Sequence, residues 1–190
     1  MRNSKFCNPF AVLFFNTVVH HLYMNTQVTL LHPDEWARVK DLRLRSLCES
    51  PDAFGGDLVA ESAFSEIQWR SKFSQLDYLV ATISSEDIAI MSVEVLDGDH
   101  GATCWIGGCW SDPDFRGQGA FSALFRFVDF HSESKGWQRQ GLGVWTDNFS
   151  AIEAYRALGF IEAGERQESE RRPGRFYMHM VRDSKARSLD

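Results

Sequence analysis

Residues 113–125 read PDFRGQGAFSALF and set two glycines after an arginine, at the start of a helical pattern. Phe121, Leu124, Phe125 and Val128 stand at i, i+3, i+4 and i+7, which is the spacing of one helix face. Glycine at a helix start costs stability, because its backbone is the least restricted. The arrangement is typical of a backbone that approaches a ligand closely, and at a helix N-terminus that ligand is usually a phosphate.

The chain around this stretch predicts one α/β domain over residues 26–182. Clusters of Gly, Pro and Asp separate β-like runs from helical runs in the order β α α β β β α β α β β. We expect a mixed, mostly antiparallel twisted sheet of six to seven strands with about four helices on its faces. The unit at residues 103–146 is predicted to be a right-handed crossover between parallel strands.

The strand and helix boundaries follow from the same pattern. Strands are predicted at residues 27–31, 78–83, 88–96, 103–111 and 141–146, with two closing strands in FIEAGERQ and GRFYMHMVR. Helices are predicted from Asp34 to about Cys48, near Ser65–Ser74, from Gly119 to Gly136, and up to Gly159.

Two helix starts carry specific capping predictions. Asp34 follows Pro33 and is predicted to cap the first helix. Ser150 and Glu153 have the spacing of a capping box, and Asn148 offers a further cap two residues earlier.

Composition narrows the class of protein. A chain of 190 residues with 44% hydrophobic and 24% charged residues is ordinary for a globular domain. The net charge of −6 argues against non-specific nucleic-acid binding, which needs a basic surface.

The four cysteines form no CxxC pair and have no histidine cluster beside them. They predict incidental thiols in a reducing, cytoplasmic compartment and no metal site.

Residues 1–25 are expected to be an extension that precedes the domain. Arg2 and Lys5 followed by an apolar run resemble a secretory signal peptide, but no small-x-small cleavage site follows. The run is also too short to cross a bilayer. We favour a biological start at Met24, or else a loosely packed extension. At the other end, residues 183–190 read as a polar tail.

Two nucleotide-binding motifs fail to fit residues 113–125. A Walker loop requires GxxxxGK[ST], and the sequence has no such string. A Rossmann fingerprint requires a third glycine, which GQGAFS at residues 117–122 lacks.

The sequence resembles the GNAT superfamily of acyl-CoA N-acetyltransferases. RGQGAF at residues 116–121 matches the family loop [QR]-x-x-G-x-[GA], except that Phe121 stands where the family has Gly or Ala. WSDPDFRGQG at residues 110–119 and NFSAIEAYRALGF at residues 148–160 match two family strings in the right order and spacing. RLRSLCESPDAFGG at residues 43–56 looks like the acceptor-side loop of many bacterial members.

The resemblance implies acetyl-CoA as co-substrate and a GNAT-like sheet whose fourth and fifth strands splay apart. The pantetheine arm would add along the fourth strand, and the double glycine Gly107-Gly108 is consistent with a bulge there. A tight crossing beneath a tryptophan is the alternative interpretation of these glycines. The predicted cofactor-binding residues are Cys109, Trp110, Ser111, Arg116, Gly117, Gln118, Gly119, Ala120, Phe121 and Asn148.

The reaction that the resemblance implies is direct attack of an amine on the thioester. Tyr155 matches the family position of the acid that protonates the leaving thiolate; the alternative is a core tyrosine. Glu94 is the first-ranked candidate for the base, ahead of Asp112, His100 and Glu49, and a chain of waters could replace any of them. A backbone N–H of the fourth strand is expected to stabilise the carbonyl oxygen.

The acceptor is a small-molecule amine or a protein or peptide amine. Polyamine, aminoglycoside, amino acid and protein N-terminus all remain open, and a homodimer is possible for this family. We expect no nucleic-acid or membrane partner. A GNAT-fold module that binds acyl-CoA without turnover, and an unrelated nucleotide-phosphate binder, are the competing hypotheses.

Overall fold

The computed structural model describes residues 26–185. The predicted extension over residues 1–25 and most of the predicted polar tail lie outside the described residues.

A seven-stranded sheet forms the centre of the domain, in the order β1-β2-β3-β4-β5-β7-β6. The strands are β1 (Gln27–Leu30), β2 (Asp77–Ile83), β3 (Glu86–Val95), β4 (Cys104–Ser111), β5 (Arg139–Trp145), β6 (Ile161–Ser169) and β7 (Arg172–Asp183). All neighbouring pairs are antiparallel except β4 and β5, which run parallel. The predicted mixed, mostly antiparallel sheet is confirmed.

Within residues 26–185, six α-helices connect these strands, where the sequence predicted about four. They are α1 (Trp36–Glu49), α2 (Leu58–Ser62), α3 (Glu66–Ser71), α4 (Ala120–Phe130), α5 (Ser132–Lys135) and α6 (Phe149–Ala157). The unpredicted α2 starts where the Asp57 side chain accepts a hydrogen bond from the Ala60 amide at 2.7 Å. The predicted helix up to Gly136 is two helices, because the backbone of His131 leaves helical geometry between α4 and α5.

The predicted cap at Asp34 is wrong. Pro33–Glu35 forms a 3-10 turn, and its N-cap is His32, whose Nδ1 accepts from the Asp34 amide. The Glu35 carboxylate accepts from the His32 amide at 2.9 Å and completes a capping box. Asp34 instead pairs with Arg70 at 2.6 Å, and α1 begins without a side-chain cap.

The predicted capping box of Ser150 and Glu153 is also wrong. Asn148 is the N-cap of α6, and its side-chain oxygen accepts from the Ala151 amide at 3.2 Å. The Ser150 hydroxyl donates to the same Asn148 oxygen. The earlier cap prevails because α6 begins at Phe149, one residue before the serine.

The sheet has a hydrophobic core on each face. Alternate residues of a strand point to opposite faces, so Leu79 and Ala81 join α4 and α6 on one side. Tyr78 and Val80 join α1 and α3 on the other side. In α3 only the predicted Trp69 is buried, whereas Ile67 is 80% exposed, because this helix is too short to present a continuous apolar face.

The outer edge at β6 is mostly exposed, and its pairing with β7 shifts register between Ala163 and Gln167. At the centre of the sheet, β4 and β5 pair only over residues 104–106 and 140–142. Beyond Ile106, β4 stays with β3 while β5 continues along β7. The predicted splay of β4 and β5 is therefore observed.

Candidate active site

A cleft opens where β4 and β5 separate. Residues 107–111 of β4 form one wall and residues 143–145 of β5 form the other. The cleft has two ends, and the residues that line both are Ala53, Phe54, Cys109, Asn148, Ala151 and Tyr155. One end, of about 570 Å³, reaches the start of α4, and the other, of about 450 Å³, is walled by aromatic side chains. Both volumes are in the range of small-molecule sites.

A β-bulge in β4 creates the separation. Ile90 pairs with Trp110 and Ser92 with Gly107, so Gly108 and Cys109 together oppose one residue of β3. Gly108 has a φ of +59°, the left-handed conformation that a bulge of this kind uses. The predicted bulge is confirmed, and it turns Cys109 toward the cleft.

The start of α4 forms the first end of the cleft. Gly117 and Gly119 have φ values of +76° and +86°, which glycine adopts without strain. The first helical hydrogen bond runs from the Ala123 amide to the Gly119 carbonyl at 2.9 Å. The amides of residues 119–122 therefore have no partner within the helix. A Cβ at either glycine would meet nothing within 4 Å, so the space above these amides is open.

Gln118 and Arg116 are placed differently from the other loop residues. Gln118 is outside the cleft lining, since its amide donates to the Phe115 carbonyl and its side chain donates to Asp114. Arg116 lines the cleft, but its guanidinium donates to the Ser111 carbonyl at 3.2 Å and to Glu49 at 2.9 Å. The other predicted cofactor-binding residues all line this end.

Phe121 packs over the predicted catalytic tyrosine. Its ring lies 5.1 Å from that of Phe125 and 5.7 Å from that of Tyr155. The side chain that departs from the family pattern therefore extends the core along α4, while its amide stays at the open end of the helix.

Tyr155 and Cys109 form a buried pair at the junction of the two ends. Tyr155 is 8% exposed, and its phenol lies beside the Cys109 thiol. Burial raises the pKa of Tyr155 well above its ordinary value, and the adjacent thiol adds to this. Burial also raises the pKa of Cys109 to about 12. Both groups keep their protons near neutral pH.

Trp110 and Glu49 hold the wall of β4. The Trp110 ring is buried in the core of the α1 face and donates its Nε1 proton to Glu49 at 3.1 Å. Burial raises the pKa of Glu49, but hydrogen bonds from Ser50 and Trp110 and the charge of Arg116 outweigh it and lower the pKa overall. Glu49 is therefore ionised, and it bridges Trp110 and Arg116. Ser111 lines the cleft with a buried hydroxyl that has no partner among the described residues.

The remaining candidate bases lie outside the cleft. Glu94 lines a separate surface depression beside Phe73 and Asp77. Asp112 forms an ion pair with Arg45. His100 packs against His179 with ring centroids 5.6 Å apart. None of these three side chains lines either end of the cleft.

The second end of the cleft was not predicted as a unit. Trp105 of β4, Trp145 of β5 and Tyr177 of β7 line it, together with Phe54 and Arg171. These residues come from separate segments, and only the register of the strands brings them together. The available sequence signal was an aromatic residue in three of the predicted strands, at Trp105, Trp145 and Tyr177.

No group of three or more metal-ligating side chains occurs within residues 26–185. Over the same residues, no helix is long and apolar enough to cross a membrane.

The model of the Acetyltransferase (GNAT) family matches residues 44–160, which is more than half of the chain. The protein therefore belongs to the GNAT acetyltransferase family. A search of curated proteins finds no significant match.

Solved structures share this fold at low sequence identity. A GNAT-family acetyltransferase from Streptococcus pneumoniae matches with a TM-score of 0.68 and 15% identity, over 84% of this chain and 99% of that one. The ribosomal-protein-S18-alanine N-acetyltransferase of Escherichia coli gives 0.61 and 19%, over 87% and 97%. A Salmonella typhimurium protein solved with its cofactor acetyl-CoA gives 0.62 and 13%, over 87% and 98%. At these identities the similarity establishes the fold alone.

Proposed function

We propose that the protein transfers the acetyl group of acetyl-CoA to a primary amine, by direct attack in a complex of both substrates. The observation that carries this proposal is the cleft itself. Unpaired amides at the start of α4 and the protonated Tyr155 phenol lie at two points of one continuous cleft.

The residues at the α4 end fit the pyrophosphate of acetyl-CoA. The open amides of residues 119–122 and the positive end of the helix dipole favour an anion there. Gly117 and Gly119 shape this cradle, and Arg116 supplies a nearby positive charge. The edge of residues 109–110 that β5 leaves unpaired offers backbone groups for the pantetheine arm, and Asn148 and Ala151 form the opposite wall.

Tyr155 is the proposed general acid. As the amine nitrogen bonds to the carbonyl carbon and the carbon–sulfur bond breaks, the phenol proton passes to the departing sulfur. Burial raises the pKa of Tyr155, so the phenol carries its proton at neutral pH. An N–H of the β4 edge beyond Ile106 would stabilise the charge that develops on the carbonyl oxygen.

The proton of the attacking amine is proposed to leave through water. Glu94 can serve as the base only across intervening waters, since it lines a different depression. A Glu94→Gln variant with unchanged turnover would leave solvent as the acceptor of this proton.

The proposed acceptors are small-molecule amines and the amines of proteins or peptides. The Escherichia coli neighbour acts on an alanine of a ribosomal protein, which supports a protein N-terminus as one candidate beside small amines.

Cys48, Cys104 and Cys109 are free thiols, which supports the proposed cytoplasmic location.

Calorimetry with acetyl-CoA, followed by thiol release with a panel of amines, tests the proposal. We expect 1:1 binding of acetyl-CoA and release of CoA with at least one amine. Binding without release on any amine would favour the module without turnover. Absence of acetyl-CoA binding would refute the proposed function.

A further inference from the structure

We propose that the acceptor is a primary amine that also carries a carboxylate, and that Arg171 binds this carboxylate at the aromatic end of the cleft. This inference rests on the proposed function and narrows its substrate class. Two observations support it: the residues that line the aromatic end, and the contrast between the unpaired Arg171 and the paired Arg172 and Arg175.

The aromatic end continues the acetyl-CoA end past Tyr155. Tyr155, Cys109 and Asn148 line both ends, so a group that enters from the aromatic end meets the reactive junction. The first end is already assigned to the nucleotide and pantetheine. The aromatic end is therefore the space left for the acceptor.

The walls of the aromatic end are apolar, and its lining holds one charge. Trp105, Trp145, Tyr177 and Phe54 supply the apolar surface. Arg171 is the one charged side chain among the described residues that line it, and no carboxylate lines it. A polycation such as a polyamine or an aminoglycoside would meet a like charge there.

Arg171 has no partner among residues 26–185, unlike the arginines next to it. Arg172 contacts Asp52 and donates to the Pro51 carbonyl at 3.1 Å. Arg175 forms an ion pair with Asp147 at 2.8 Å, donates to the Asp52 carbonyl and lies over the Trp145 ring. Within the described part of the chain, no hydrogen bond, ion pair or ring contact involves the Arg171 guanidinium.

These neighbouring contacts hold the backbone of Arg171 in place. Arg171 lies in the two-residue turn between β6 and β7. Ser169 closes this turn by accepting from the Arg172 amide at 3.2 Å. The contacts of Arg172 and Arg175 tie the β6–β7 hairpin to residues 51–52, beside the loop that carries Phe54.

An unpaired guanidinium in the lining of an aromatic cleft suits a carboxylate. It presents two parallel N–H donors that match the two carboxylate oxygens. The apolar walls suit a hydrophobic body between that carboxylate and the amine. The chemistry points to an amine that carries a carboxylate and an apolar side chain, either a free amino acid or an acidic peptide N-terminus.

Matched acceptor pairs test this inference. We would measure thiol release at saturating acetyl-CoA with phenylalanine, tryptophan, leucine and methionine, each against its C-terminal amide. Dipeptide amides with aspartate at the second position distinguish the peptide source, and spermidine represents a polycation. We expect kcat/KM for the preferred carboxylated acceptor to exceed that for its uncharged match by about ten- to a hundredfold, mainly through KM, as for a charged hydrogen bond.

Arg171→Gln should remove this preference and leave the acetyl-CoA affinity unchanged. Arg166→Gln is the matched control, because Arg166 is an exposed arginine of β6 that does not line the cleft. Equal use of acids and amides by the wild type, a preference for spermidine, or an unchanged preference in R171Q would each overturn this inference alone. If the wild-type protein does not bind acetyl-CoA, the proposed function, on which this inference rests, is refuted instead.

Discussion

At the scale of single residues, the Tyr155 hydroxyl is the group whose removal tests the proposed general-acid role. Tyr155→Phe removes only the hydroxyl and keeps the ring that packs against Phe121, Phe125 and Phe160. We expect kcat to fall by about 10²- to 10⁴-fold near neutral pH, the usual contribution of a general acid. The acetyl-CoA affinity from calorimetry should change little.

Tyr78→Phe is the control for this variant. It removes the phenol of a buried tyrosine in the core of the α1 face, which lines neither end of the cleft. We expect this variant to keep most of its kcat. Turnover of Y155F equal to that of the wild type would remove the proton-donor role from Tyr155.

At the scale of elements, a buried network holds α4, β5 and β7 together. Arg182 of β7 donates to Asp129 of α4 at 2.9 Å, to Gln140 of β5 at 2.8 Å and to the Leu158 carbonyl at 2.8 Å. Its guanidinium also lies 5.1 Å from the centre of the Phe125 ring. Burial lowers the pKa of Arg182, although Asp129 opposes this.

Arg182→Met should be strongly destabilising, because it leaves the Asp129 carboxylate, whose side chain is 13% exposed, without its cation. We expect a loss of about 3–5 kcal/mol in the free energy of unfolding, measured in urea. Arg156→Met breaks the exposed pair with Glu162 and should cost under about 1 kcal/mol. Equal losses in the two variants would contradict the structural role of the Arg182 network.

The fold of these elements was largely predictable from the sequence, whereas the contents of the cleft were not. The bulge was predictable from the glycines at 107–108, and the open helix start from those at 117 and 119. The placement of Tyr155 was predictable from the string NFSAIEAYRALGF at 148–160. These features are local in sequence. The pairing of Cys109 with Tyr155 and the aromatic end depend on strand register, which the spacing of residues does not encode.

The wrong cap predictions have a local cause. Asp34 and Ser150 each have suitable chemistry, but a competing side chain comes first along the chain, His32 in one case and Asn148 in the other. A pattern shows which residues can cap a helix, and the exact start of the helix decides which residue does so.

At the scale of the whole molecule, the buried His179 predicts how global stability depends on pH. Its ring packs against Trp105, Tyr177 and His100, and Nδ1 lies 3.5 Å from Asp99. Burial lowers the pKa of His179; Asp99 opposes this, and His100 adds to the lowering. The unfolded chain therefore binds a proton at this residue more readily, near its usual pKa of about 6.5.

Stability should accordingly fall as the pH drops through about 6.5, because protonation then favours the unfolded state. We expect urea titrations between about pH 7 and 5.5 to show this loss, at values above the range in which most carboxylates titrate. His179→Gln should flatten the slope over this interval, whatever its effect on stability at pH 7. An unchanged slope in H179Q would refute this assignment.

The outer edge of the sheet has a consequence for how copies of the protein meet. β6 is mostly exposed, interrupts its register beside Gly164, and carries Glu162, Glu165, Arg166 and Glu168. Charged side chains and an irregular backbone are the features by which edge strands resist pairing with another chain. Growth of the sheet from one molecule into the next is therefore opposed at β6, which protects concentrated solutions of the protein from edge-to-edge aggregation.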